Sequence, residues 1–180
     1  FQYRGDGLLV SAPGFKDWHG HGVSPNVTIQ DDFDIQLKLE MKHLQPPEPG
    51  GECVVYLEAG FPDRRQTSIQ AKFAMTPSGA KNGELSHHFT ADNGERHYDE
   101  LVNYPLDLVH SLRIARRGKT VYVLIQASPT SGSIVLGRVR LDDDAVDHCN
   151  IQAVVHTSGV DRTTVALYKQ MTIWAKSIQE

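Results

Sequence analysis

Two cysteines in 180 residues allow one disulfide at most, and a chain of this length builds a core without any. Cys53 and Cys149 each open an apolar run, so they read either as two buried thiols or as a single bridge. No apolar run approaches the roughly 18 residues that a membrane-crossing helix needs. Basic residues are not in excess: 18 Lys and Arg stand against 22 Asp and Glu, a formal charge of −4. That balance argues against general attraction to nucleic acid or anionic lipid. The first residue is Phe1 and no charged-then-apolar leader follows it, which predicts a processed product or a piece excised from a larger protein. There is no Gly-x-Ser-x-Gly elbow, and neither cysteine lies in a motif that activates a thiolate.

Helix-length patterns are missing as well, and strands take their place. The plainest run is Asp32-Phe33-Asp34-Ile35-Gln36-Leu37-Lys38-Leu39-Glu40-Met41. Its odd positions are apolar and its even positions after Asp32 are charged or polar. Side chains alternate across an extended backbone, so this run has one face on a core and one in water. Further strands are predicted at Gly7–Val10, Glu52–Ala59, Gln66–Ala74 and Leu85–Thr90. Leu112–Arg116 and Thr120–Ile125 form a hairpin around Arg117-Gly118-Lys119, and Ile134–Leu141, Ile151–His156 and Thr163–Ala175 complete the set. Phe15–Pro25, His43–Gly51 and Ala91–Asp107 read as loops, rich in glycine, proline or polar residues. About ten strands spaced roughly 8–15 residues apart, without crossover helices, predict an antiparallel two-sheet β-sandwich. One domain spans residues 1–180, since no repeat or compositional shift divides the chain.

The order of these motifs resembles the concanavalin A-like lectin/glucanase superfamily, especially its laminin-G-like jelly rolls. The resemblance rests on Gly7-Leu8-Leu9-Val10 leading into the Asp32–Leu39 strand. It continues through Leu112-Arg113-Ile114-Ala115-Arg116-Arg117-Gly118-Lys119-Thr120-Val121-Tyr122-Val123 and the closing Ile173-Trp174-Ala175. The chain is also similar to a bacterial domain of unknown function within that superfamily. The resemblance implies an all-β jelly roll of two sheets with six or seven strands each, one of them concave. Ligands would bind on the concave face or its rim loops, and the setting would be extracytoplasmic. Met171, Ile173 and Ala175 would face the core, leaving Trp174 outside or under a loop.

Retaining glucanases of this superfamily carry Glu-x-Asp-x-Glu or Glu-x-Asp-x-x-Glu on one strand, which places nucleophile and acid on a shared face. The nearest acidic runs are Asp31-Asp32-Phe33-Asp34, Asp99-Glu100 and Asp142-Asp143-Asp144, and none alternates in that way. The expected function is therefore a non-catalytic recognition or accessory module of a larger protein, binding carbohydrate. The alternatives are a glycan-active enzyme with unconventional carboxylates and a protein-interaction domain.

Sugars are held by exposed aromatics that stack on pyranose faces and by side chains that bond hydroxyls. Trp18, Tyr98 and Tyr104, with Arg64, Asp92, Asn93, Arg96 and His97, are the candidates. Each aromatic also has the plainer reading of a core residue. For metals, His19 and His21 sit at i, i+2, which turns both imidazoles to one side, and His87, His88 or an aspartate could supply a third ligand. Asp142, Asp143 and Asp144 could offer oxygens to calcium, as loops of laminin-G-like domains sometimes do, but they lack the alternation of a dedicated calcium loop. Solvated loops and strand ends are the favoured account of both groups, and no cofactor is expected. Arg113, Arg116, Arg117 and Lys119 form the one basic cluster, which reads as a solvated hairpin tip that discourages edge pairing rather than a nucleic-acid surface. Arg4-Gly5-Asp6 and Asn26-Val27-Thr28 match short adhesion and glycosylation patterns that arise often by chance.

Overall fold

The computed structural model describes residues 1–14, 19–62, 65–141, 148–158 and 163–179. Thirteen strands run through them: β1 (Gln2–Arg4), β2 (Gly7–Ala12), β3 (His19–Val23), β4 (Thr28–His43), β5 (Cys53–Gly60), β6 (Ser68–Met75) and β7 (Lys81–Thr90) come first. Then follow β8 (Arg96–Pro105), β9 (Ser111–Arg117), β10 (Thr120–Gln126), β11 (Ile134–Arg140), β12 (His148–Thr157) and β13 (Thr164–Gln179). The ladders are antiparallel and build two layers. The first sheet runs β1-β2-β13-β4-β9-β10-β11. The second runs β3-β12-β5-β6-β7-β8. They meet at one corner, where His148 and Cys149 of β12 pair with Gln30 and Ile29 of β4. Just beyond that corner, Asp31 takes a left-handed φ of 59° as β4 changes partner from β12 to β9. Such a bend lets one strand serve both layers, and Asp tolerates it better than most residues.

The expected two-sheet sandwich is what the chain forms, because alternate residues of both layers face one core. Phe33, Ile35, Leu37 and Leu39 of β4 meet Val55 and Leu57 of β5, Ile69 and Phe73 of β6, and Ile151 and Val155 of β12 in a single buried cluster. Met171, Ile173 and Ala175 pack against that cluster, while Trp174 is 55% exposed on the outer face. Cys53 and Cys149 are both buried and are not bridged to each other. Cys53 pairs across the β5–β12 ladder with Thr157, while Cys149 lies near the opposite end of β12. Roughly 25 Å of strand separates them, far beyond the reach of a disulfide.

Two segments expected to be loops are strands. β3 adds to the edge of β12, Val23–His19 running against Ala153–Thr157. Its glycines look like loop punctuation in the sequence but serve close approach. A Cβ on Gly22 would lie 2.4 Å from the Ala153 carbonyl oxygen, and one on Gly20 would lie 2.8 Å from a Val154 methyl. β8 is an edge strand on β7, and its residues are exposed apart from the half-buried Val102. It lacks an apolar stripe because an edge strand buries little. The expected β9–β10 hairpin forms, but its turn is shorter by one residue: Arg117 joins the ladder opposite Thr120, leaving Gly118, at φ 56°, and Lys119 in the turn.

Candidate functional site

The side of the second sheet that faces away from the core carries the site. Val55, Leu57 and Ala59 of β5, Ile69, Ala71 and Phe73 of β6, and Leu85 of β7 point inward, so the intervening residues point outward. Register lines these up in three cross-strand rows. Tyr56, Lys72, Glu84 and Asn103 form one. Gln152, Glu58, Gln70, Ser86 and Glu100 form the next. Ser68, His88 and Tyr98 form the third. On an open sheet face such side chains would be well solvated, yet Lys72 is 9% and Glu84 6% exposed. They sit in a cleft of about 540 Å³ lined by Glu52, Lys72, Glu84, Ser86, His88, Tyr98, Asp99 and Glu100.

Several of these groups hold one another in place. The Glu58 carboxylate accepts from the Gln70 side-chain amide and from Gln152 Nε2 at 2.9 Å. Lys72 Nζ lies 3.5 Å from Glu52, and Asn103 Nδ2 donates to Glu100 at 3.1 Å. The His88 and Tyr98 rings meet edge to face at 4.8 Å, and the Arg96 guanidinium lies 5.7 Å from the centre of the Tyr98 ring. Glu84 is different: its carboxyl makes no hydrogen bond or ion pair with any described residue.

Burial and charge shape the protonation of the cleft. Burial first, then Glu100 and Glu52, push the Glu84 carboxyl up to about 7 against the opposing pull of Lys72. His88 is pushed down to about 4, chiefly by burial and then by Lys72 and Arg96, with Asp99 opposing. Tyr56 is raised by burial and by Glu58 and Glu52, so its hydroxyl keeps its proton. At neutral pH the cleft therefore presents a carboxyl near its titration midpoint, a neutral imidazole and the edge of an aromatic ring.

Of the residues singled out from the sequence, Tyr98, 63% exposed, lines this cleft, and Arg96 packs against its ring from beside it. The others separate from them. His97, one position along an alternating strand, stacks on Phe89 at 5.1 Å on the opposite side. Tyr104 pairs with Gly83, whose Cβ direction points at the core residue Ile125, so it too lies on the inner side. Asn93 builds the β7–β8 turn, bonding Glu95 through its side chain and backbone, and Asp92 stands 4.0 Å from Arg65. Trp18, Arg64, Asp142, Asp143, Asp144 and the side chain of His19 lie outside the described residues. His21 Nδ1 is 2.8 Å from the Ser11 carbonyl, and His87 stacks on Phe89 while the neighbouring His88 turns to the cleft. Among the described residues no three His, Cys, Asp or Glu side chains converge as a metal site would require.

Glu52, Lys72, Glu84 and Ser86 escaped the sequence reading, which looked for carboxylates alternating along one strand, while His88 entered it only as a third metal ligand and Glu100 only within an acidic run set aside. Within each strand that pattern is absent; across the sheet, carboxylates from three segments share one cleft. The available signal was the polar alternation Glu84-x-Ser86-x-His88, which marks an outward face but not what faces it.

Comparison with known proteins places the fold. A functionally unknown protein from Saccharomyces cerevisiae superimposes with a TM-score of 0.64 at 11% identity, over 98% of this chain and 91% of that one. A legume lectin-like domain from Entamoeba histolytica gives a TM-score of 0.57 at 11% identity, covering 98% of this chain and 87% of the other. The alginate lyase from Klebsiella pneumoniae gives 0.52 at 10% identity over 82% of this chain, which spans 61% of the lyase. These likenesses establish a concanavalin A-like jelly roll, a scaffold shared by lectin-like and carbohydrate-active proteins. No curated protein matches the sequence. The match over residues 1–180 is to the family described as protein of unknown function (DUF1583) C domain, and the chain belongs to that family.

Proposed function

We propose that this chain is a carbohydrate-recognition module of a larger protein, folded as one β-sandwich, and that it binds glycan in the cleft on the outer face of the second sheet. The observation that carries this reading is the row Gln152–Glu58–Gln70, hydrogen-bonded internally, which continues across the sheet into Ser86 and Glu100 of the cleft, beside the exposed Tyr98 ring. Pre-oriented amides and carboxylates bond sugar hydroxyls without first being ordered, and an aromatic lip covers the apolar face of a pyranose. The likeness in fold to a legume lectin-like domain and to an alginate lyase supports the same reading. Calorimetry or NMR titration against neutral, acidic and amino oligosaccharides tests it. Binding that weakens about tenfold or more in Tyr98→Ala is expected; no shift with any sugar at millimolar concentration overturns it.

A second reading, a glycan-active enzyme, is favoured by one observation. Glu84 keeps its proton up to about 7 in a cleft that also holds Glu100 and Glu52. A protonated carboxyl beside an ionised one is the pairing that glycosidic bond cleavage needs, as acid and as base or nucleophile. Release of new reducing ends from a bound polysaccharide, abolished in both Glu84→Gln and Glu100→Gln, would establish it. Binding without turnover across the same panel would refute it.

A further inference from the structure

We infer that the cleft selects a cationic ligand, a sugar bearing a protonated amine, in preference to a neutral or a uronate glycan; this deepens the recognition reading and rests on it. Acidic groups outnumber basic ones among the described residues of the cleft. Glu52, Glu84, Asp99 and Glu100 line the cleft, with Lys72 as the one lysine among the lining residues. Lys72 is committed to Glu52 at 3.5 Å, and Arg96 lies over the Tyr98 ring. His88, held neutral at pH 7, adds no positive charge.

Glu84 is over nine-tenths buried and lines the cleft, yet has no bonding partner among the described residues. A shielded carboxylate without a partner is unfavourable in the empty protein. A ligand that brings both a positive charge and N–H donors removes that penalty on binding. An ammonium group does both, with three donors directed at carboxylate or hydroxyl oxygens. Ser86, beside Glu84 on the same face, supplies a hydroxyl oxygen, and Glu100 supplies the second charge. A uronate would instead bring its own carboxylate against these groups. A divalent cation fits poorly, because no three ligating side chains converge among the described residues. The Tyr98 ring and the Gln70–Glu58–Gln152 ladder flank the charged groups, so the amine is best presented on a pyranose rather than on a bare aliphatic chain.

Calorimetry on the whole chain, using glucosamine, N-acetylglucosamine and uronate oligomers of equal length, tests the inference. It is run at pH 7, where the Glu84 carboxyl is near its midpoint and an ammonium can draw it into the ionised form. The glucosamine oligomer is expected to bind about tenfold or more tightly than its N-acetylated counterpart. That ratio is expected to shrink as salt rises and to fall about tenfold in Glu84→Gln and in Glu100→Gln. If Glu84→Gln does not fold, Glu100→Gln and the salt series carry the test. Equal or tighter binding of the N-acetylated or uronate oligomer overturns the inference and leaves carbohydrate recognition standing. A ratio unmoved by either variant and by salt overturns it too. No binding by any of the three, nor by other neutral sugars, overturns both.

Discussion

The two outward faces of this sandwich are built from the same residue types and handle charge in opposite ways. On the first sheet, Asp34 is held by a two-pronged contact from Arg113, at 2.7 and 2.5 Å, with Arg117 at 3.4 Å. Glu40 meets Lys42 at 2.5 Å and Lys169 at 2.8 Å, and Lys176 meets Asp31 at 3.4 Å. Asp31, Asp34 and Glu40 thus each have a cation on a neighbouring strand or nearby on the same one. On the second sheet Glu84 is buried as deeply as Asp34, but it has no hydrogen-bond or ion-pair partner among the described residues. A face whose charged groups pair with one another leaves no group open, whereas an unpaired buried carboxyl marks the second face as the candidate site.

Four measurements would break or sharpen this contrast. The largest effects belong to the shared core, where the contrast should vanish. Leu37→Ala in the first sheet and Leu57→Ala in the second, both fully buried, are each expected to lower unfolding free energy by about 2–5 kcal/mol in denaturant titration. A large cost in one sheet alone would mean that the layers are not one cooperative unit.

Next come substitutions of opposite sign on the two outer faces. Asp34→Asn leaves Arg113 without its ionic partner and is expected to destabilise by about 1–3 kcal/mol. Glu84→Gln removes an unmatched buried charge and is expected to stabilise the protein by about 1 kcal/mol at pH 8. Destabilisation by both would erase the distinction.

A smaller and more specific signature lies in pH. The Glu84 carboxyl rises from 4.5 to about 7 on folding, so its stabilisation is full below 4.5 and is lost as pH rises through 7. His88 falls from 6.5 to about 4, so its stabilisation is present above 6.5 and is lost as pH falls through 4. Between these limits the two slopes oppose one another, and their sum in the unmodified protein is nearly flat. Glu84→Gln should then gain stability as pH rises from 4 to 6.5, while His88→Gln should lose it from 4.5 to 7. Thermal midpoints of the three proteins across that range decide the matter; parallel curves would refute the assignment.

The smallest effect is expected at Glu40. Lys169 and Lys42 hold its carboxyl down at about 2, but the trio is exposed, and surface pairs of this kind contribute little. Glu40→Gln should leave the thermal midpoint within experimental scatter in moderate salt. A clear loss would show that the first sheet's ion pairs act as a network.

Much of the fold was legible because strand periodicity is a local property. The run from Phe33 to Met41 declared its buried face, Gly118 declared its turn, and the closing strand was expected with Trp174 outside. β3 and β8 were not legible. Gly20 and Gly22 look like a loop until Val154 and Ala153 are placed beside them, and an edge strand such as β8 exposes nearly everything it carries. The candidate site was legible only in Tyr98, with Arg96 packed beside it. His97 and Tyr104 stood close to them in sequence and were lost to the other face by the same alternation that revealed the strands.

What the sequence determined alone was the list of strands with a buried side, and hence an all-β sandwich, since every second residue either fits a core or does not. What the tertiary structure decided was which polar residues meet. Glu52, Glu84 and Glu100 come from three segments, and only the pairing of β5 with β6, β6 with β7, and β7 with β8 gathers them into one shielded cleft. Alternation acts between residues two apart, whereas charge acts through space. The character of this face therefore follows from strand order and register rather than from any one stretch of chain.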